Sequence, residues 1–149
     1  MELYLVRHAE SKTEEEDPAR PLSENGKKEA GKIASRLSLA GVKPAEIFHS
    51  PKLRAVQTAD IFSSHFRVRS REMPGLKPND EPGAAAEFAE AQARNVMLVG
   101  HLPHLSRLAS LLLCGNADEE VVKLGSAAAL CLLKEEKWKI KWLLGPELA

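Results

Sequence analysis

The sequence has no net charge, no long apolar run and few cysteines. Its 149 residues carry 21 basic and 21 acidic side chains, so the formal net charge at pH 7 is zero. Neither half of the chain is strongly basic, and the electrostatic footprint of a protein that binds nucleic acid or an anionic membrane is missing. No apolar run approaches the roughly 18 residues that cross a bilayer. We therefore expect no nucleic-acid partner and no membrane partner.

The two cysteines lie in leucine-rich surroundings. Cys114 follows three leucines, and Cys131 is flanked by Leu130 and Leu132. This context predicts two small buried hydrophobic side chains in a reducing compartment rather than a disulfide. The N-terminus has an acidic second residue, Glu2, and no extended apolar region, unlike a secretory signal. We therefore expect a cytoplasmic protein.

Short apolar strands alternate with helical patterns along the chain. The sequence predicts strands at residues 3–6, 46–49, 66–71 and 96–99, and a closing hairpin at 127–133 and 138–144. Helices are predicted to open near residues 23, 50, 83 and 103. This alternation is typical of an α/β fold, a three-layer α/β/α sandwich around a mostly parallel sheet with an antiparallel edge. Because no repeat or linker interrupts it, we expect a single domain over residues 1–149.

Serine marks the start of two predicted helices. Ser23 should cap the first helix, which Gly41 ends. Ser50 should cap the second helix, with Pro51 in its first position. The first helix has an apolar stripe that should face the core, made of Ala30, Ile33, Ala34, Leu37 and Leu39.

Histidine and arginine side chains lie at or just after the carboxyl ends of three predicted strands. Arg7 and His8 end the first strand, and His101 ends the strand at 96–99. After the second strand, Ser50 leads into a helix that carries Arg54 in its first turn. Because ligands of α/β sheets bind beyond the carboxyl ends of parallel strands, we expect two histidines and two arginines to converge there.

Histidine and arginine together suit a phosphoryl group. Arginine presents a planar fork of donors that matches phosphate oxygens, and its charge is permanent. Neutral imidazole can accept a phosphoryl group as a nucleophile. The sequence contains no Walker motif, no carboxylate pair with evident magnesium geometry and no cysteine nucleophile motif. We therefore expect phosphate chemistry with no metal and no cofactor.

Three sequence motifs carry a resemblance to a known family. Residues 5–11 (LVRHAES), 50–59 (SPKLRAVQTA) and 99–103 (VGHLP) resemble, in order and spacing, the motifs of the histidine phosphatase superfamily, the phosphoglycerate-mutase-like group. With residues 20–23 (RPLS) and the small size, the chain is most similar to the SixA-type phosphohistidine phosphatases. The resemblance extends from about residue 2 to residue 113.

The resemblance implies a role for five residues. It makes His8 the nucleophile that accepts the phosphoryl group and Arg7 its neighbouring phosphate ligand. Arg54 and His101 become further phosphate ligands in the catalytic site, and Arg20 matches an arginine that reaches into the pocket in the SixA-type group. The family usually has glycine after the first histidine, where this chain has alanine, a small change that leaves the nucleophile in place.

A general acid is the element of the larger relatives that this sequence lacks. The stretch at residues 73–80 resembles the SixA-type segment, which also lacks that acid. Asp80 and Glu81 are the acidic side chains nearby, but they lie in a loop flanked by proline and glycine, and nothing in the sequence fixes either of them over the pocket.

The resemblance implies a metal-independent phosphohistidine phosphatase, and we expect a monomer. Its partner would be a phosphorylated protein, such as a histidine-containing phosphotransfer domain, and its pocket would bind phosphate and other oxyanions. Two alternatives remain: a small-molecule phosphomonoesterase that uses the same pocket, and a phosphate-binding module without turnover. The second is disfavoured because binding alone would not require a nucleophile.

Two further groups of residues allow competing interpretations. His104 follows His101 by three residues and could share a metal with it, but no third ligand is evident and His101 should precede the helix. Arg67, Arg69 and Arg71 would lie on one face of a strand at 66–71. A charged edge strand that resists edge-to-edge pairing is favoured over a docking rim for an acidic protein.

Overall fold

The computed structural model describes residues 1–149, which form one six-stranded sheet with helices on both faces. The strands are β1 (Glu2–Arg7), β2 (Glu46–His49), β3 (Ser70–Glu72), β4 (Val96–Gly100), β5 (Ala129–Lys134) and β6 (Trp138–Leu144). The helices are α1 (Glu24–Leu39), α2 (Leu53–Phe66), α3 (Gly83–Glu90) and α4 (His104–Cys114), followed at the C-terminus by a 3-10 helix, Pro146–Leu148.

The sheet is mostly parallel, and its antiparallel part is confined to one edge. The strand order is β3-β2-β4-β1-β5-β6. The first four strands in this order run parallel, β5 pairs antiparallel with β1, and β6 pairs antiparallel with β5. The predicted fold class and the closing hairpin are therefore confirmed.

Alternation along β1 divides the apolar side chains between two cores. Leu3 and Leu5 belong to the core that includes apolar residues of α3 and α4. Tyr4 and Val6 belong to the core on the other face, which includes residues of α1 and α2. Because successive side chains of a strand point to opposite faces, one central strand serves both cores and the molecule has three layers.

Helix α1 begins as its sequence predicts. The Ser23 hydroxyl accepts a hydrogen bond from the Gly26 amide at 3.0 Å, which satisfies one of the unpaired donors of the first turn. Four of the five predicted stripe residues are buried. The prediction for Leu39 is wrong, since its side chain is 82% exposed. Two residues beyond the buried Leu37, it lies about 200° further around the helix and faces away from the core.

The predicted start of the second helix is wrong. Helix α2 begins at Leu53, and its N-cap position is held by Lys52 without a side-chain hydrogen bond. The Ser50 side chain instead lies 2.5 Å from the His101 ring, a partner 51 residues away in the sequence. The Ser50 hydroxyl also accepts a long hydrogen bond from the Lys52 amide, at 3.3 Å, so it lies between the start of α2 and His101 rather than at the N-cap position.

The predicted strand at 66–71 is also largely wrong. Phe66 is the last residue of α2 and stacks on Phe62 at 6.2 Å, and Arg67 ends the helix with a left-handed backbone (φ 56°). Strand β3 starts only at Ser70, so the three arginines do not share one strand face. Arg71 alone lies in β3, where it pairs with Glu46 at 2.9 Å.

The two cysteines differ in burial. Cys131 is buried in β5, as predicted, whereas Cys114 is exposed at the last position of α4, so its predicted burial is wrong. Leucines precede Cys114 in the sequence, but its place at the helix end leaves the side chain outside both cores. No helix of the structure combines the length and the apolar character needed to cross a membrane.

Candidate active site

The two histidines meet because β1 and β4 are parallel neighbours. Arg7 lies opposite Gly100 in the ladder, so the residues that follow, His8 and His101, leave the sheet side by side. The His8 amide donates to the Gly100 carbonyl at 2.9 Å, and the two imidazole centroids are 5.1 Å apart. The carboxyl ends of β1 and β4 therefore form the base of the candidate site.

The geometry of His8 defines which ring nitrogen is free. Its Nδ1 lies 2.8 Å from the Ala9 carbonyl, and a carbonyl oxygen can only accept a hydrogen bond, so Nδ1 carries the proton. The pKa of His8 is lowered to about 4, chiefly because burial disfavours the charged ring. The positive charges of Arg54, Arg7 and Arg20 lower this pKa further. At neutral pH the ring is uncharged, and its Nε2 holds an available lone pair.

Arg7 and Arg54 present buried donors that the protein leaves unpaired. Arg7 donates from Nη1 to the Leu124 carbonyl at 3.0 Å, which holds the guanidinium in place, but its Nε has no partner within the chain. The Nε of Arg54, in the first turn of α2, also has none. Burial lowers the pKa of both groups, yet a guanidinium remains charged at neutral pH. Two such groups suit an anion with several oxygens.

Arg20 joins the site from the loop between β1 and α1. Its guanidinium donates to the Ser11 hydroxyl at 3.1 Å, and its backbone is left-handed, with φ of 50°. After burial, the positive charge of Arg20 is among the causes that lower the pKa of both His8 and Arg54. All five residues singled out from the sequence therefore lie together, while their roles in a reaction stay predictions.

His101 is almost completely buried and uncharged. Burial is the main cause that lowers its pKa to about 3, and the permanent positive charge of Arg54 acts in the same direction. One ring nitrogen, Nε2, lies 2.5 Å from the Ser50 hydroxyl, and the other, Nδ1, has no partner within the chain. A neutral imidazole carries one N–H donor, and the unpartnered nitrogen of His101 is itself almost fully buried.

Two hydroxyl residues of the site were given no functional role by the sequence interpretation. The sequence predicts a helix cap for Ser50 and no separate role for Thr58 within the second motif. In the structure both are fully buried, Ser50 against His101 and Thr58 between Ala9 and Arg54. Their position in the second motif, beside Arg54, was the available signal.

The nearby acidic side chains do not face His8. The Asp80 carboxylate accepts a hydrogen bond from the Lys77 amide at 2.9 Å and closes a turn. Glu81 is largely exposed and pairs with Arg107 at 3.5 Å. No carboxylate is among the causes that shift the pKa of His8 or of His101. The site is cationic, and one carboxylate does act on it: burial and Arg20 lower the pKa of Arg54, and the negative charge of Glu14 opposes them.

The pair His101 and His104 has no third potential metal ligand beside it. His104 is the first residue of α4, so His101 precedes the helix, and the fully buried ring of His104 has no hydrogen-bond partner at either nitrogen. No group of three histidine, cysteine, aspartate or glutamate side chains is arranged to hold a metal ion. The buried ring of His104 packs at the start of α4.

The loop after His8 is fastened to the start of α1. The Ser23 amide donates to the Glu10 carbonyl at 2.9 Å, and the Ser23 hydroxyl donates to the Glu10 carboxylate at 2.7 Å. Gly26 permits this contact, because a Cβ at that position would lie 2.1 Å from the Glu10 carbonyl oxygen. The first motif and α1 are thereby held as one unit.

Comparison with known proteins gives the family. The sequence profile of the histidine phosphatase superfamily (branch 1) matches residues 3–81, more than half of the chain and the part that carries Arg7, His8, Arg20 and Arg54. The chain belongs to the histidine phosphatase superfamily. Members of this superfamily are phosphatases, which agrees with a cationic site built around two neutral histidines.

Two curated relatives align along nearly the whole chain. An uncharacterised protein of Picosynechococcus is 32% identical, and the match covers 93% of this chain and 98% of the relative. The phosphohistidine phosphatase SixA of Escherichia coli K12 is 24% identical, with 98% and 94% covered. The match to SixA includes the C-terminal part, which lies beyond the family profile.

Solved structures share the fold. The protein histidine phosphatase SixA complexed with tungstate superposes with a TM-score of 0.85 at 24% identity, over 98% of this chain and 97% of that one. The α-ribazole phosphatase of Shigella flexneri has a TM-score of 0.79 at 17% identity, over 98% and 97%. Because relatives named for different substrates share this architecture, the fold alone does not select the substrate.

Proposed function

We propose that this histidine phosphatase removes phosphate from a protein phosphohistidine through a phosphohistidine intermediate on its own His8. The observation that carries the proposal is the state of His8: a neutral ring with its proton on Nδ1 and its Nε2 lone pair free, among three arginines. The similarity to SixA along almost the whole chain supports the same substrate class.

In the first step, the His8 Nε2 lone pair attacks phosphorus. A phosphorus–nitrogen bond forms to His8, and the one to the substrate imidazole breaks. The substrate ring takes the electron pair and leaves neutral when its other nitrogen is already protonated. His8 keeps its Nδ1 proton, donated to the Ala9 carbonyl, so the enzyme-bound phosphohistidine is a protonated ring.

In the second step, water attacks the phosphorus of this intermediate. The bond to Nε2 breaks, and its electron pair returns to the ring, which regains the neutral form with Nδ1 protonated. The proton from water leaves with the phosphate. Because the Nδ1 proton is held throughout, His8 is a good leaving group in this step without a separate acid.

The remaining side chains stabilise the charge on the transferring group. Phosphoryl transfer distributes negative charge over three oxygens, and fixed cations around them lower the barrier. Arg7 and Arg54 contribute buried donors, Arg20 a donor from the loop, and His101 a neutral one. In this proposal these side chains supply the charge neutralisation that other phosphatases obtain from a metal ion.

The engagement of Asp80 and Glu81 in contacts of their own favours a nitrogen leaving group. General acid catalysis typically contributes ~10²–10⁴-fold and matters most for a strongly basic leaving group such as an alkoxide. A protonated phosphohistidine needs no such help. Asp80 accepts a hydrogen bond within its own turn, and Glu81 pairs with Arg107 at the surface.

The test compares kcat/KM for a phosphohistidine protein, phosphoramidate, an aryl phosphate and an alkyl phosphate. We expect the phosphorus–nitrogen substrates to be cleaved fastest, the activated aryl phosphate next and the alkyl phosphate slowest, with rates unchanged by EDTA. Asp80→Asn and Glu81→Gln should leave this order intact.

Two results would replace the proposal. Turnover of alkyl phosphate as efficient as that of phosphohistidine, lost selectively in Asp80→Asn or Glu81→Gln, would make the protein a small-molecule phosphomonoesterase with a general acid. Tight oxyanion binding with no turnover of any substrate in the series would make it a phosphate-binding module.

A further inference from the structure

A buried hydroxyl connects the His8 loop to the helix that carries Arg54. Thr58 lies in α2 and has no exposed surface. Its Oγ1 donates to the Arg54 carbonyl at 2.8 Å and accepts from the Ala9 amide at 3.0 Å. Ala9 in turn presents its carbonyl to the His8 ring at 2.8 Å.

Only the first of these bonds is ordinary for a helix. Threonine side chains within helices often donate to the carbonyl four residues earlier, which accounts for the bond to Arg54. The bond from the Ala9 amide crosses 49 residues of sequence and joins the first motif to the second. Because Ala9 is fully buried, no solvent is available to replace that acceptor, and the amide depends on Thr58.

We propose that Thr58 is a positioning residue that fixes Ala9, and through its carbonyl sets the tautomer and direction of the His8 ring. This assignment rests on the function proposed above, in which Nε2 of His8 is the attacking atom. Ala9 is held at its amide by Thr58 and at its carbonyl by the Nδ1 proton of His8. The same hydroxyl holds the first turn of α2, so the attacking nitrogen and the Arg54 guanidinium keep a fixed relation.

Loss of the Thr58 hydroxyl should therefore impair the chemical step more than substrate binding. Without the Thr58 acceptor, the Ala9 backbone shifts to find another partner, and its carbonyl no longer meets Nδ1 at hydrogen-bond distance. The His8 proton then distributes between the two nitrogens, and part of the population loses the Nε2 lone pair. Substrate binding, which depends on the guanidinium groups, should change little.

The experiment compares Thr58→Val with Thr58→Ser. Valine keeps the shape and removes the hydroxyl, whereas serine keeps the hydroxyl and removes the methyl group. We expect Thr58→Val to lower kcat by up to about a hundredfold, the effect of a misplacement of about 1 Å, with KM nearly unchanged. Thr58→Ser should restore kcat to within a few-fold. Ser63→Ala is the matched control, since Ser63 is another α2 hydroxyl bound to a backbone carbonyl, remote from the site.

A second measurement is independent of turnover. Nitrogen chemical shifts of His8 in the resting enzyme report its tautomer, which should be Nδ1-protonated in the wild type, in Thr58→Ser and in Ser63→Ala, and mixed in Thr58→Val. Should Thr58→Val fail to fold, Thr58→Ala takes its place with the same expectations. Because this measurement needs no substrate, failure of the proposed function leaves it able to judge Thr58.

Two outcomes would overturn the assignment. One is a wild-type tautomer and kcat in the variant without the hydroxyl. The other is equal impairment in Thr58→Ser and Thr58→Val, which would make the methyl packing responsible and leave the hydroxyl without a role.

Discussion

At the scale of the residue, the defining feature is a histidine kept neutral by its neighbours. Burial is the largest cause, and the charges of Arg54, Arg7 and Arg20 act in the same direction, so the pKa of His8 is about 4. In the proposed mechanism, the arginines that bind phosphate also preserve the lone pair that attacks it. Since protonation of Nε2 removes that lone pair, activity should fall only as the pH approaches 4.

Arg54→Met tests this electrostatic coupling. Removal of a positive charge makes the imidazolium less unfavourable, so the pKa of His8 should rise from about 4 toward its ordinary value of 6.5. Titration of the His8 ring by nuclear magnetic resonance measures the shift. Arg36→Met removes an exposed arginine of α1 and should leave the His8 pKa unchanged. A His8 pKa that stays constant or falls in Arg54→Met would show that the charge of Arg54 does not act on this ring.

At the scale of the element, the close contact between α1 and the His8 loop decides how well the site is held. Gly26 lies in the first turn of α1, where its missing side chain makes room for the Glu10 carbonyl. Gly31 lies one and a half turns later in the same helix, and a Cβ there would meet nothing within 4 Å. These two glycines provide a matched pair for substitution by alanine.

Alanine should have opposite effects at the two positions. Gly31→Ala should stabilise the protein by up to about 1 kcal/mol, the gain in helix propensity of alanine over glycine. Gly26→Ala should destabilise it by about 1–3 kcal/mol, because the new methyl group overlaps the Glu10 backbone, and should also lower activity by displacing the loop after His8. Denaturant unfolding measures both. Equal stability of the two variants would show that the contact at Gly26 is loose.

The starts of α1 and α2 show what a sequence can predict about an element. Ser23 caps α1 through an amide three residues away, and such a local bond can be predicted from the sequence pattern. Ser50 lies in an equally good capping context, but its hydroxyl contacts His101 at 2.5 Å and accepts only from the Lys52 amide, at 3.3 Å, before the helix begins. The competing partner is far away in the chain, so only the folded structure brings the two together. The start of α2 was therefore mispredicted.

The same distinction applies to β3. Alternating arginines at 67, 69 and 71 resemble a strand, but the aromatic pair Phe62 and Phe66 extends α2, and Arg67 ends it in a left-handed conformation. Phe62 and Phe66 continue the helical spacing of apolar residues in α2. This helical pattern determines the structure up to Arg67, in place of the strand that the alternating arginines suggest.

At the scale of the whole molecule, the C-terminal part of the chain supports the candidate site through hydrogen bonds with Arg7. The family profile ends at residue 81. Beyond it, the Leu124 carbonyl accepts a hydrogen bond from the Arg7 side chain at 3.0 Å, and the Ala128 carbonyl accepts one from the Arg7 amide at 3.1 Å. The sequence beyond residue 113 offered only strand patterning, and a backbone carbonyl that holds an arginine leaves no mark in the sequence. The convergence of His8 and His101 could be predicted, because it follows from the ends of parallel strands. The hydrogen bonds from Arg7 to the Leu124 and Ala128 carbonyls could not be predicted.

The phosphorylated atom is the most direct test of the central claim, transfer of phosphate to His8. Enzyme mixed with labelled phosphohistidine protein and quenched in alkali should carry acid-labile, alkali-stable phosphate on Nε2 of His8, because Nδ1 is bonded to the Ala9 carbonyl. His8→Ala should carry no label and show no turnover, whereas His65→Ala, which changes an exposed histidine, should match the wild type. Label on Nδ1 or on another residue, or near-normal turnover in His8→Ala, would contradict the mechanism.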